Sequence, residues 1–226
     1  MYKVKTAAII LAGGRSERLA TDRPKQFLEV GGKPLISYAL EQFEKHFGIG
    51  KIVIVVNEEW RGHFKLYDKF FGFAEPGITR QESILNALKV INESGLGCDR
   101  VIIHDAARPL ITQQDITDCL SNMNGYDGAT PYLEVTDTVY QSEDGQTISG
   151  LLNRDSLYAG QTPECYGFHK YLKAHGNVDL SKVRGSSEIA FQAGMRIHIY
   201  PGNKKNFKIT TKPDLDYFTY LLDKEG

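Results

Sequence analysis

Short apolar runs alternate along the chain with longer stretches in which apolar residues recur every three or four positions. Thr6 to Leu11 (TAAIIL), Lys51 to Val56 (KIVIVV), Arg100 to His104 and Gly128 to Leu133 have the length and content of buried strands. Helical patterns lie between them. Pro34 precedes Leu35, Tyr38, Ala39 and Phe43 at helical spacing, and a polar helix is expected over Arg61 to Phe70, beside Trp60. Thr79-Arg80-Gln81-Glu82 reads as a capping box ahead of the stripe Ile84, Leu85, Leu88 and Ile91. Thr112 and Asp115 flank the start of a helix running to about Met123. Further on, Phe168 to His175 and Glu188 to Ala193 predict helices and Met195 to Tyr200 a strand. Thr211, Pro213 and Asp214 open a last helix. The alternation predicts a single α/β, Rossmann-like domain over 1–226 with a mostly parallel twisted sheet. Ligands of such sheets bind at the C-terminal ends of the strands.

Between Val135 and Gln161 the period drops to two. Thr136, Thr138 and Tyr140 alternate with Asp137, Val139 and Gln141, a turn follows at Glu143-Asp144-Gly145, and Thr147 to Leu152 returns. A lone hairpin is marginally stable in water. This one carries Val139, Ile148, Leu151 and Leu152, so a projecting β-arm at about 135–161 is expected to pair with a second copy of the chain. The competing arrangement folds it back on its own sheet.

The net charge of −1 argues against a general nucleic-acid binder, which would usually be basic overall. Cys98, Cys119 and Cys165 are too few and too scattered for a disulfide framework or a metal motif. No apolar run reaches the eighteen or so residues of a membrane span. A cytoplasmic protein without nucleic-acid or membrane partners is expected.

Local charge is another matter. After Thr6–Leu11 come Gly13 and Gly14, then Arg15, Arg18, Arg23 and Lys25, four cations within eleven residues. Glycines after a strand let a ligand approach the backbone, and N–H groups with fixed cations suit a triphosphate. Ser16 and Arg18 stand where a dinucleotide fingerprint needs glycines, and no Gly-Lys-Ser/Thr follows for a P-loop. From these residues alone, an ordinary loop with a solvated basic face remains an equal reading. Asp105 ends a buried strand, where a carboxylate needs a cation, a metal or a hydrogen bond from a residue such as Arg108.

The segment Leu11-Ala12-Gly13-Gly14-x-x-x-Arg18-Leu19, with Pro24-Lys25-Gln26-Phe27-Leu28 and the later His104-Asp105-Ala106-Ala107-Arg108-Pro109, resembles the cytidylyltransferases that make CDP-linked alcohols. Two related groups share these motifs, acting on 2-C-methylerythritol 4-phosphate and ribitol 5-phosphate, and the likeness covers nearly the whole chain. It implies a fold of the nucleotide-diphospho-sugar transferase type, transfer of CMP from CTP to a polyol phosphate with loss of pyrophosphate, Mg2+ as cofactor, and a homodimer.

The resemblance also assigns roles. Arg18, Lys25 and Lys208 stabilise the phosphates. Leu11, Ala12, Gly13, Gly14, Gly77, Ser83 and Ala106 surround the nucleotide. Asp105, Arg108, Thr138, Arg154 and Thr162 receive the acceptor, with Arg154 acting in the neighbour's site and Asp105 also in the metal environment. Arg184-Gly185-Ser186-Ser187 departs from the usual Thr-Asp pair and leaves the acceptor open. Leu157 to Pro163 and Trp60 lean towards ribitol 5-phosphate, with 2-C-methyl-D-erythritol 4-phosphate the alternative. Two other classes compete. A dehydrogenase lacks its glycine pattern here, and a non-catalytic nucleotide sensor would have no use for Lys25, Asp105, Arg154 and Lys208 together.

Overall fold

The computed structural model describes residues 6–14, 19, 23–64 and 67–225. Its central strand is β1 (Thr6–Leu11). Ala8 and Ile10 enter one apolar cluster while Ala7 and Ile9 enter another, so this strand is buried on both faces as its unbroken apolar run requires. After a two-stranded turn, β2 (Glu29–Val30) with β3 (Lys33–Pro34), comes α1 (Leu35–Lys45). Next are β4 (Lys51–Val55), β5 (Phe70–Ala74), α2 (Arg80–Glu93), β6 (Arg100–Asp105), α3 (Gln113–Ser121) and β7 (Gly128–Glu134). Residues of α1 and α3 pack in the cluster on one face of the sheet, and residues of α2 in the cluster on the other. β5, β4, β1 and β6 are parallel neighbours.

Both capping boxes form: Thr79 with Glu82 opens α2, and Thr112 with Asp115 opens α3. The expected helix over 61–70 does not. A short 3-10 helix at Glu58–His63 ends there, and Phe70 begins β5 on the sheet edge. Phe70 and Phe73 pack against the first core cluster from a strand, so burial overrides the local pattern. Trp60 stacks on Phe27 with ring centroids 4.6 Å apart. Its place is explained by packing.

The arm is present and shorter than expected. Among the described residues β8 (Tyr140–Gln141) pairs only with β9 (Gly150–Leu151), and the arm's Tyr140, Ile148, Leu151 and Leu152 are exposed. The chain rejoins the main sheet at β10 (Tyr158–Gly160), antiparallel to β7, so the arm covers 135–157 and not 135–161. β11 (Glu164–Gly167), not foreseen from sequence, then runs antiparallel between β6 and β7. α4 (Phe168–His175), α5 (Ser186–Gln192), β12 (Ile197–Pro201) beside β7, and α6 (Lys212–Glu225) complete the domain. The strand expected from Met195 starts two residues later, at Ile197. Cys98, Cys119 and Cys165 are buried free thiols. No helix among the described residues is long and apolar enough to cross a membrane.

Candidate active site

Leu11 lies in register with Val55 on one side and Asp105 on the other, at the C-terminal ends of three adjacent parallel strands. A cavity of about 640 Å³ opens there. Its first wall is Leu11 to Gly14 with Lys25 and Gln26. The Gln26 side-chain amide is buried and donates to the carbonyl oxygens of Ala12 and Gly14, the latter at 3.0 Å. One side chain of the Pro-Lys-Gln-Phe motif thus fixes the shape of the glycine loop, and its neighbour Lys25 faces the cavity.

The second wall comes from the start of α2. The Gly77 N–H donates to Ser83 Oγ at 3.0 Å, and Ser83 Oγ donates to the Thr79 carbonyl at 2.9 Å. A Cβ on Gly77 would stand 2.2 Å from Glu82 Cβ, so only glycine lets the chain turn tightly into the capping box.

Asp105 forms the floor with Ala106 and Ala107. Its Oδ1 accepts from Arg80 Nε at 3.2 Å, with Arg80 Nη2 at 3.1 Å, and its Oδ2 accepts from Lys208 Nζ at 2.7 Å. Burial alone would raise this carboxyl's pKa, but Arg80 and Lys208 outweigh it and hold Asp105 well below the usual carboxylate range. Arg108, weighed from sequence, is tied to Asp105 through the backbone, its N–H donating to the Asp105 carbonyl at 3.0 Å, while its guanidinium turns elsewhere. Its Nη1 donates to the Asn206 carbonyl at 2.9 Å.

Beneath the floor runs a polar chain. The Asp105 N–H donates to Thr162 Oγ1 at 3.4 Å, Thr162 Oγ1 meets His104 Nδ1 at 3.1 Å, and His104 Nε2 meets the Arg108 carbonyl at 3.0 Å. Burial pushes the His104 pKa down to about 4. The ring is therefore neutral near pH 7, donating from Nε2 and accepting at Nδ1. It is a packing histidine with both nitrogens satisfied.

Comparisons with known proteins place the chain in a family. The sequence model described as IspD: 2-C-methyl-D-erythritol 4-phosphate cytidylyltransferase matches residues 6–224. The chain belongs to this family. The 2-C-methyl-D-erythritol 4-phosphate cytidylyltransferase of Clostridium perfringens (strain 13 / Type A) is 34% identical over 220 residues, covering 93% of this chain and 96% of that one. The protein of the same name from Clostridium tetani is 35% identical over 228 residues, covering 97% and 91%. The crystal structure of the Francisella tularensis 2-C-methyl-D-erythritol 4-phosphate cytidylyltransferase superposes with a TM-score of 0.82 at 28% identity, covering 96% of this chain and 99% of that one. A synthase structure from Anaerococcus prevotii, at 21% identity and TM-score 0.83, shows the same fold over 97% and 96% of the two chains. Family membership makes the chain a CTP-dependent cytidylyltransferase.

Within this cytidylyltransferase the expected residues divide into groups. Leu11, Ala12, Gly13, Gly14, Lys25, Gly77, Ser83, Asp105, Ala106 and Lys208 line one cavity. Thr162 is buried under Asp105, and Arg108 lies behind the floor. Thr138 and Arg154 lie on the exposed arm, where Arg154 Nη1 donates to the Thr136 carbonyl at 2.7 Å. Arg18, and with it Arg15, falls outside the described residues.

Sequence reasoning gave Arg80 no role, although it lines the cavity. Its Nη1 donates to Ser186 Oγ at 2.5 Å, and Glu164 Oε2 lies 3.6 Å from its Nη2. Burial opposes the charge on Arg80, yet Asp105 and Glu164 outweigh it and raise the guanidinium pKa further. The missed signal was an arginine in the first turn of a helix that opens onto the cavity.

Proposed function

We propose that this enzyme transfers CMP from CTP to 2-C-methyl-D-erythritol 4-phosphate, releasing pyrophosphate. The observation that carries the reading is the joining of the glycine loop, Lys25, Asp105 and Lys208 around one cavity, in a chain whose curated relatives are named for that acceptor. The lean towards ribitol 5-phosphate gives way to the alternative weighed beside it. It rested partly on Trp60, which packs on Phe27.

The reaction asks the protein for placement and for charge. The backbone of residues 12–14, held by Gln26, borders the phosphates. Lys25 and Lys208 offset the charge that grows on the reacting phosphorus and on the leaving pyrophosphate. Gly77 and Ser83 bring backbone and hydroxyl groups close enough to meet a pyrimidine edge.

The donor set also suits Mg2+. Among the described residues no three His, Cys, Asp or Glu side chains gather into a protein-only cage. Asp105 offers hard oxygen ligands at the cavity floor, and a bound triphosphate would supply others, the usual arrangement for this ion. The ion would neutralise phosphate charge in the reaction.

The acceptor site is completed, in this proposal, by a second copy of the chain. The arm exposes apolar side chains that its own sheet does not cover, and it carries Arg154, a residue type suited to bidentate phosphate binding. The test is pyrophosphate release with CTP and a panel of polyol phosphates. 2-C-methyl-D-erythritol 4-phosphate is expected to give the highest kcat/KM, and a higher value for ribitol 5-phosphate would overturn the acceptor assignment.

A further inference from the structure

Four charged side chains from four separate segments form one network: Arg80, Asp105 and Lys208 line the cavity, and Glu164 lies behind Arg80. They alternate in sign. Lys208 touches Asp105, Asp105 touches Arg80, and Arg80 faces Glu164. Their exposures differ. The Glu164 and Asp105 side chains are about one-tenth exposed, Arg80 is 28% exposed and Lys208 is 39% exposed.

The two cations are held in different ways. Arg80 is gripped from both sides. Asp105 engages its Nε and Nη2, and Ser186 Oγ accepts from its Nη1. Ser186 in turn donates to Glu164 Oε2, and the Ser186 carbonyl accepts from Tyr171 Oη at 3.1 Å. Ser186 and Tyr171 are both fully enclosed, so this grip is part of the core. Lys208 has its main chain anchored next door, where the Ile209 N–H donates to the Ala107 carbonyl at 2.8 Å. Its ammonium, however, sits at the end of a flexible stem with Asp105 as its one ion-pair partner among the described residues.

A triphosphate entering the cavity competes with Asp105 for Lys208. A buried carboxylate stripped of its cation is strongly unfavourable, so Lys208 leaves at least cost when a fixed protein cation stays on Asp105. We propose that Glu164 and Ser186 are positioning residues that hold Arg80 as the fixed counter-ion of Asp105, freeing Lys208 to leave Asp105 for a phosphate of CTP. This rests on the reading of the cavity as a CTP site, and it does not depend on which alcohol phosphate is the acceptor.

Binding of CTP and of cytidine, which carries no phosphate, tests the proposal by calorimetry on Glu164→Gln and on Arg80→Lys. Glu164→Gln removes the charge that steadies Arg80, and Arg80→Lys removes the fork that spans Asp105 and Ser186. In both variants CTP should bind about tenfold more weakly, the scale of coupling in a shared charge network, while cytidine affinity stays at the wild-type value. Adding Ser186→Asp to Glu164→Gln places a carboxylate directly against Arg80 and should recover CTP affinity. Two variants guard against one failing to fold, and cooperative thermal unfolding identifies those that do fold. Unchanged CTP affinity in a folded variant would overturn the proposal, as would an equal loss of CTP and cytidine affinity, which would mark a general scaffold role. Failure of the acceptor assignment would instead appear in wild-type turnover, with these affinities unaffected.

Discussion

Gly13 lies so close to Pro76 that a Cβ on it would stand 2.5 Å from Pro76 Cγ and 2.6 Å from Pro76 Cβ. The proline ring cannot swing aside as a flexible side chain would, so the two loops that form opposite walls of the cavity touch at this point. Gly13→Ala must push them apart. It should cost about 1–3 kcal/mol of stability, as overpacking does, and weaken CTP binding further because Gly77 follows Pro76 directly. Denaturant unfolding and CTP titration together check this. Wild-type values in both would show that the walls are not in contact.

Lys25→Ala should leave the fold intact and lower turnover. The side chain faces the cavity, while the neighbouring Gln26 makes the structural hydrogen bonds. Losing a group aimed at developing charge costs on the order of 10²–10³ in kcat. Steady-state kinetics beside a thermal melt separates the two effects, and a mutant that melts normally and turns over normally would remove Lys25 from the chemistry.

Turnover should require a divalent ion. In excess chelator, pyrophosphate release should stop, and Mg2+ should restore it. Asp105→Asn should raise the Mg2+ concentration needed for half-maximal rate, because the floor loses a charged oxygen ligand. Full activity in chelator would refute the assignment of the ion.

Arg154→Ala should raise the KM for the acceptor and leave CTP affinity nearly unchanged, since Arg154 lies on the arm and the nucleotide loop lies elsewhere. Mixing Arg154→Ala with Lys25→Ala protein is the sharper measurement. If sites are shared and subunits exchange, a mixed dimer holds one site with both defects and one with neither, so activity partly returns. A monomer in sedimentation, or no recovery despite proven exchange, counts against a site built by two copies.

What could be read from the sequence was what is encoded locally. Thr79 with Glu82 and Thr112 with Asp115 announce their helices because each box spans four residues. The apolar runs of β1, β4 and β6 announce a buried parallel sheet, and the resemblance added the cavity residues at the ends of these strands. β5 was missed because Phe70 to Ala74 becomes a strand only through its pairing with β4. β11 was missed for a similar reason: its four residues are specified by the antiparallel slot between β6 and β7. Arg80 was seen only as part of a capping box, because Asp105, Glu164 and Ser186 are distant in sequence. The departure at 184–187 left the acceptor open from sequence, and in the fold Ser186 turns out to bridge Arg80 and Glu164.

The charge network beside the cavity is stitched from positions 80, 105, 164 and 208, each delivered by a different part of the chain. No fragment that stops short of residue 208 or starts beyond residue 80 can carry the full set. On the proposed reading of the cavity, turnover should report on the whole domain's cooperativity. A partial opening that releases one of these segments should lower turnover, even where the remaining secondary structure persists. Loss of turnover during gradual denaturation should run level with the first segment to detach, and a proteolytic nick in an exposed connection is harmless only while the severed pieces stay docked.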